Sequence, residues 1–255
     1  MRIAMGIEYD GTAYHGWQMQ KDADSVQEQL ERAISCVANH PVRVHCAGRT
    51  DAGVHGLDQV IHFDTDAVRS TRSWVLGANV NLPPDIGVNW ACPVPEDFHA
   101  RFSAIRRSYR YLIINRATRS PIWRNRAVWI HRPLDESRMR EAGEKLLGTH
   151  DFSSYRALGC QAKSPVRTIT GLAIRRQHEL ISIDVSADGF LHHMVRNIAG
   201  VLIAIGSREK PVEWSQIVLG HRDRTQGGVT APPHGLYLAS VEYPKEFKLP
   251  KPPSW

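Results

Sequence analysis

Three short runs in this sequence carry side chains able to do chemistry. The densest is Gly48-Arg49-Thr50-Asp51-Ala52-Gly53-Val54-His55-Gly56. Its three glycines in nine residues let the backbone turn sharply or approach a ligand closely. An arginine two residues before an aspartate can hold a phosphate while the carboxylate faces a sugar or a base. The same composition also builds an ordinary turn, in which Asp51 accepts backbone hydrogen bonds and Arg49 is solvated. The second run, Phe98 to Tyr111, interleaves basic and aromatic residues. On a strand, Arg107, Tyr109 and Tyr111 share one face and Arg106 and Arg110 the other. Aromatic faces stack on unstacked bases and arginines hold phosphates. A strand with its tyrosines in the core and its arginines outside would read the same way.

The third run is Asp188-Gly189-Phe190-Leu191-His192-His193-Met194-Val195-Arg196-Asn197. If it is helical, His192 and Arg196 lie on one face. Arg196 stands beside Val195 and near Ile198, so partial burial is expected. A buried guanidinium needs a carboxylate, for which Asp51 is one candidate and a structural acid the other. Asp51, His55, His192 and His193 are of metal-ligand type, but their spacing argues against a metal site. Adjacent histidines diverge on a helix, and neither HExxH, HxE…CxxC nor a phosphate-binding Walker loop is present.

These runs need elements to position them. Alternation at Ile3, Met5, Ile7 and Tyr9 predicts a strand over residues 2–9. Ser25 and Glu28 form a capping box, and Val26, Leu30, Ala33, Ile34 and Val37 repeat at helical spacing up to His40-Pro41. Strands are expected at Val42–Cys46, Leu57–Asp64 and Ile86–Val94, with a helix around 70–79. The order is β-α-β-β-α-β, the split βαβ arrangement. The second half repeats it. A strand runs from Ile105 to Ile114, and a helix over 135–147 has Asp135 as N-cap, Leu134 stapled onto Met139, and Gly148 as stop. Strands near 167–175 and 180–187 follow, then a helix from Phe190 to Ile205, a short helix near 213–219 and a strand at 236–243. The expected fold is α+β: two ferredoxin-like βαββαβ halves forming a largely antiparallel central sheet flanked by helices. The division falls at residues 1–104, which hold the Asp51 loop, and 105–255, which complete the cleft. Lys248 to Trp255 is expected to be an irregular arm.

Bulk properties set the outer limits. With 255 residues the chain is long enough for one large domain or two small ones. Apolar residues at 42% and charged residues at 23% are ordinary for a folded domain. No apolar run is long enough to span a membrane, and the start reads as a strand rather than a signal peptide, so a cytoplasmic protein is expected. Four scattered cysteines, with no CxxC pair, predict reduced and mostly buried thiols. The net charge of +6 favours a polyanionic partner without specifying it.

The Gly48–His55 loop resembles the signature of the tRNA pseudouridine synthase A family. The resemblance extends along the chain. It includes Tyr9-Asp10-Gly11-Thr12, Gly16-Trp17-Gln18, Asn79-Val80-Asn81-Leu82-Pro83 and Phe98-His99-Ala100-Arg101-Phe102-Ser103-Ala104. It continues through Tyr109-Arg110-Tyr111, Asp151-Phe152, His192-His193-Met194-Val195-Arg196-Asn197-Ile198 and Gly235-Leu236-Tyr237-Leu238. It implies conversion of uridine to pseudouridine at positions 38, 39 and 40 of the tRNA anticodon stem-loop, by a homodimer that needs no cofactor. It maps the catalytic aspartate onto Asp51, an active-site tyrosine onto Tyr109 and its basic partner onto Arg196. The arginine that helps displace the target nucleotide maps onto Arg49. Whether the carboxylate attacks the sugar or the base stays open. Flipping the base costs a few kcal/mol, and phosphate contacts hold the stem-loop; Arg101, Arg106, Arg107 and Lys163 are expected to supply them. Two other readings remain: a non-catalytic RNA-binding protein on the same sheet, and a metal-dependent hydrolase using His55 and His192.

Overall fold

The computed structural model describes residues 1–250, so the last five residues of the expected C-terminal arm lie outside the described residues. The fold is α+β, with ten strands, mostly antiparallel, and five α-helices among the described residues. The chain forms two compact units. One is Met1–Arg107 together with the chain from Tyr237, and the other is Ser108–Leu236.

The first unit contains β1 (Arg2–Tyr9), α1 (Val26–Ala38), β2 (His45–Cys46), β3 (His55–Asp64), α2 (Thr71–Asn81) and β4 (Ile86–Val94). Its sheet runs β4-β1-β3, with the short β2 also on β3. That spatial order belongs to a split βαβ unit. β1 is antiparallel to both neighbours, with Ile3 opposite Phe63 and Pro93. The expected alternation of β1 holds only in part, because Ala4 and Met5 are both fully buried. The strand is central, and its second face is covered too: a Cβ on Gly6 would lie 2.0 Å from the Trp90 indole. The strand expected over Val42–Cys46 shortens to β2, although Val42 and Val44 are buried.

α1 forms where the sequence predicts. Ser25 Oγ accepts the Glu28 N–H at 3.3 Å, and Val26, Leu30, Ala33, Ile34 and Ala38 make the buried face. Asn39 ends the helix in the left-handed region at φ 60°, a conformation asparagine tolerates better than most residues. The sheet, α1 and α2 enclose one core around Met5, Ile7, Leu30, Ile34, Ile61, Phe63 and Trp74.

The second unit contains β5 (Arg106–Asn115), whose first two residues belong to the first unit, β6 (Val128–Ile130), α3 (Glu136–Glu144), β7 (Gly148–Asp151), β8 (Val166–Gln177), β9 (Leu180–Ala187), α4 (Met194–Gly206) and α5 (Trp214–His221). Its strands run β5-β9-β8-β7, with β6 parallel to β5. Asp135 caps α3 by accepting the Ser137 and Arg138 N–H groups. The helix stops at Glu144, short of the expected Gly148; that glycine, at φ +94°, instead opens β7. α4 is apolar on most sides, as a helix between packed elements must be. It begins at Met194, later than the expected Phe190.

The last strand, β10 (Leu236–Glu242), returns to the first unit, where Tyr237 and Leu238 pair in parallel with His55 and Gly56 of β3. The four cysteines are free, but Cys36 is exposed and Cys46, Cys92 and Cys160 are half-buried. The expectation of mostly buried thiols is thereby corrected. No helix among the described residues is long and apolar enough to cross a membrane.

Candidate active site

The loop between β2 and β3 carries Arg49 and Asp51, and three parts of its own unit fix its backbone. The first is Gln59 of β3. This fully buried side chain accepts the Ala47 N–H at 3.1 Å and the Gly48 N–H at 3.3 Å, and donates to the Gly48 carbonyl at 2.6 Å. One amide thus meets three main-chain groups of the loop, sharing the Ala47 N–H with the Val60 carbonyl at 2.8 Å.

The second is the segment after β1. The Tyr9 and Thr50 hydroxyls meet at 2.8 Å in a buried hydrogen bond. Trp17 N–H donates to the Thr50 carbonyl at 3.0 Å, and Gly53 N–H to the Tyr14 carbonyl at 3.3 Å. The two backbones touch at glycines. A Cβ on Gly11 would sit 1.9 Å from the Val54 oxygen, and one on Gly16, already at φ +96°, 2.7 Å from the Thr50 oxygen. The sequence contained Tyr9–Thr12 and Gly16–Gln18 as motifs without a role; their role is to hold this loop. Val54 N–H donates to the Asp51 carbonyl at 3.1 Å and closes the turn, with Gly53 at φ +74°. Asp51 is left half-buried on a fixed backbone, flanked by exposed Arg49 and Ala52.

The third is Arg107. Its guanidinium donates to the Ala47 carbonyl through Nε at 3.1 Å and Nη2 at 3.0 Å, and to the Arg101 carbonyl at 2.6 Å. Arg106 pairs with Glu242. Two arginines expected to face phosphates therefore have structural ties, whereas Arg101 and Lys163 are exposed. His55 is buried at the loop's base. Its Nδ1 meets the Gly11 N–H at 3.0 Å and lies 3.1 Å from Asp10, and its ring stacks on Tyr237 at 4.6 Å.

The second unit holds Tyr109 and Arg196. Tyr109 lies on the buried face of β5 with Tyr111, as the strand periodicity predicts, and meets Phe190 edge-to-face at 5.0 Å. Tyr111 is a core residue. Its hydroxyl donates to the Pro232 carbonyl at 2.8 Å, and burial pushes its pKa far up, opposed by the nearby Arg196 charge. Arg196 is half-buried in the first turn of α4. Its Nε donates to the Ala231 carbonyl at 2.8 Å, and its own carbonyl accepts the Ala231 N–H at 3.1 Å. Beside it, Asn197 is buried and bonded to Tyr155, Arg224 and Thr230.

His192 lies outside the helix that carries Arg196, so the two do not share a helical face as a helix through 190–205 would have them do. His193 is the N-cap at φ 61°, a left-handed conformation that breaks the helix, and His192 precedes it. Nor do the two histidines diverge: their ring centroids are 4.0 Å apart. Periodicity does not register a single left-handed residue, so the apolar spacing of 190–205 read through it.

One buried acid follows directly after the loop. Burial raises the Asp58 carboxyl from 3.8 to about 6, partly offset by a hydrogen bond from the Val241 N–H. A folded-state value above the unfolded one means that stability falls as pH rises from about 4 through about 6. Above that window the full penalty, about 2–3 kcal/mol, is present. Asp58→Asn keeps the acceptor and removes the charge. Urea unfolding should show the variant more stable than the parent at pH 7.5, with the gap closing towards pH 4.5. A gap independent of pH would contradict the assignment.

Comparison with known proteins bears on the whole chain. The pattern of the tRNA pseudouridine synthase family matches residues 5–103 and 142–244. A protein of Coxiella burnetii named tRNA pseudouridine synthase A is 58% identical over 252 residues, covering 99% of this chain and 97% of its own. One of Alcanivorax borkumensis with the same name is 55% identical over 253 residues, covering 99% and 95%. Among solved structures, a Cbf5-Nop10-Gar1 complex is similar at 11% identity and a TM-score of 0.35, over 79% of this chain and 45% of that one. That likeness is too slight to bear on function.

Proposed function

The chain belongs to the tRNA pseudouridine synthase family, and from that premise we propose that it acts on uridines 38, 39 and 40 of the anticodon stem-loop, with Asp51 as its catalytic carboxylate. It is an enzyme that isomerises uridine to pseudouridine in tRNA. The bond from uracil nitrogen to the sugar breaks, the ring turns, and a carbon of the ring takes the sugar instead. The proton which that carbon loses is made up on the freed nitrogen, so atoms and electrons balance and no oxidant, reductant or cofactor is consumed.

The observation that carries the assignment of Asp51 is the fixed loop. Backbone bonds from Gln59, Trp17, Tyr14 and Arg107 position a half-buried carboxylate before any substrate arrives. Preorganisation of this kind is what a reacting group needs, because little is then spent on ordering it during the reaction. Arg49, exposed beside it, suits the displacement of a stacked nucleotide or a hold on its phosphate. Tyr109 and Arg196 complete the proposed set. A tyrosine ring stacks on uracil, and a guanidinium balances the anionic character of the site. The same reading makes the enzyme a cytoplasmic homodimer of the 28.7 kDa chain.

Mapping pseudouridine in tRNA treated with the purified protein tests the positions. Product at 38, 39 and 40 supports the reading; product confined to another arm of the tRNA overturns it. Tyr109→Leu removes the ring while keeping an apolar side chain. A fall in kcat/KM of about 30-fold is expected from the lost stacking, and an unchanged value would take Tyr109 out of the site.

A further inference from the structure

The segment 98–103 presents an aromatic ring to solvent on a rigid base. Phe98 is fully buried and packs against Tyr243 and Phe247 at centroid distances of 5.2 and 5.1 Å. Ala100 N–H donates to His62 Nδ1 at 3.1 Å, and the Ala100 carbonyl accepts the Tyr243 hydroxyl at 2.6 Å. The turn closes on itself. Ser103 N–H donates to the His99 carbonyl, His99 N–H to Ser103 Oγ, and Arg101 N–H to His99 Nδ1, at 2.9, 2.9 and 3.1 Å. On this base Phe102 is 75% exposed. One exposed phenylalanine is ordinary on a protein surface; what distinguishes Phe102 is its rigid base and the groups around it.

Its surroundings are cationic and aromatic. The Arg101 guanidinium lies 5.5 Å from the ring centroid, and the His99 ring touches it at 4.4 Å. Behind His99 stand His62 and His45, at 4.5 and 5.5 Å. From Phe98 to Leu134 the sequence carries nine arginines and no aspartate or glutamate. Two further observations tie this platform to the Asp51 loop. Arg107 bridges the Arg101 carbonyl to the Ala47 carbonyl, where that loop begins. Arg49, Arg101 and Arg107 also all act electrostatically on the Cys46 thiol, which burial nonetheless pushes up to about 12. The three guanidinium groups thus act on one point of the sheet, with Asp51 two residues from the first and Phe102 next to the second.

We propose that Phe102, with Arg101 and His99, is a stacking platform for an unpaired base of the substrate RNA, holding the strand beside the Asp51 loop. Ring and charge together favour RNA over a purely apolar partner, because an exposed aromatic flanked by arginine offers every base a face and the phosphates a counter-charge. The proposal rests on the chain acting on tRNA. Phe102 is a positioning residue here, since it takes no part in bond exchange, and its effect belongs in binding and KM.

The test uses the full-length enzyme and whole tRNA, with Phe102→Leu and Phe102→Trp. Binding of tRNA and steady-state turnover are measured separately, alongside thermal unfolding and mass by light scattering. Phe102→Leu should weaken binding and raise KM by about 10-fold with kcat unchanged, Phe102→Trp should retain wild-type values, and neither should alter unfolding. Unchanged binding and KM in Phe102→Leu overturn the platform. So does a change of assembly mass without a change in tRNA binding, which would assign the ring to contact with a second copy of the chain. Failure of the underlying reading shows differently, as a wild-type protein that binds tRNA yet forms no pseudouridine; the binding arm still decides Phe102 in that case.

Discussion

Asp51→Asn should abolish pseudouridine formation while leaving tRNA binding intact. The amide matches the carboxylate in shape, and the loop is held by backbone bonds to Gln59, Trp17 and Tyr14, so the fold of the loop should survive. What is lost is the ability to act as a nucleophile or to take a proton. A fall in kcat of at least about 10³-fold is expected, with the dissociation constant for tRNA changed by no more than about threefold. Rate and affinity discriminate between the competing readings. A non-catalytic RNA-binding protein would show no activity to lose. A residual rate near that of the parent would remove Asp51 from the chemistry. Extensive chelation before the assay separates the hydrolase reading, since activity retained without bound metal excludes it.

The second large effect comes from a residue with no chemistry. Gly11→Ala adds one methyl group where a Cβ would lie 1.9 Å from the Val54 carbonyl oxygen. Main-chain oxygen cannot rotate away as a side-chain tip can, so either β1's end or the Asp51 loop must shift. Overpacking of this kind costs about 3 kcal/mol. A displacement near 1 Å at the carboxylate costs about 100-fold in kcat/KM. Both should be seen, the first by urea unfolding and the second in the tRNA assay. Gly220→Ala is the matched control. Nothing lies within 4 Å of its Cβ position in α5, and alanine there should be neutral or stabilising by about 1 kcal/mol. Equal losses in the two variants would show that glycine replacement in general, rather than the close approach at Gly11, is responsible.

Much of the local structure was legible. α1 could be placed from Ser25, Glu28 and five apolar positions because capping and amphipathic spacing are properties of neighbouring residues. β4, β8, β9 and β10 fall within two residues of their expected bounds for the same reason. Errors cluster where a single backbone conformation or a distant element intervenes. The left-handed His193 delays α4 to Met194, and with it goes the expected helical face joining His192 to Arg196. Gly148 is a strand start rather than a helix stop. Apolar alternation in β1 is filled in by small residues, because Trp90 covers the face that Gly6 leaves open.

By itself, the sequence determined which residues are available for chemistry and which family they belong to. Arg49, Asp51, Tyr109 and Arg196 stand in motifs whose order and spacing are read directly from the chain. Composition alone left Asp51 as a plausible turn former, and the structure shows that it does lie in a turn. Only the tertiary structure decided how that turn becomes a rigid mount. Tyr9 meets Thr50 across 41 positions of chain, Gly11 yields to Val54, and Arg107 reaches Ala47 from 60 residues away. The same holds for β10, which closes against the base of the loop through Tyr237 and His55. Periodicity and capping report interactions within a few residues. Hydrogen bonds and close backbone contacts between distant segments leave no such trace, because they depend on where the folded sheet places two strands rather than on what lies beside either one.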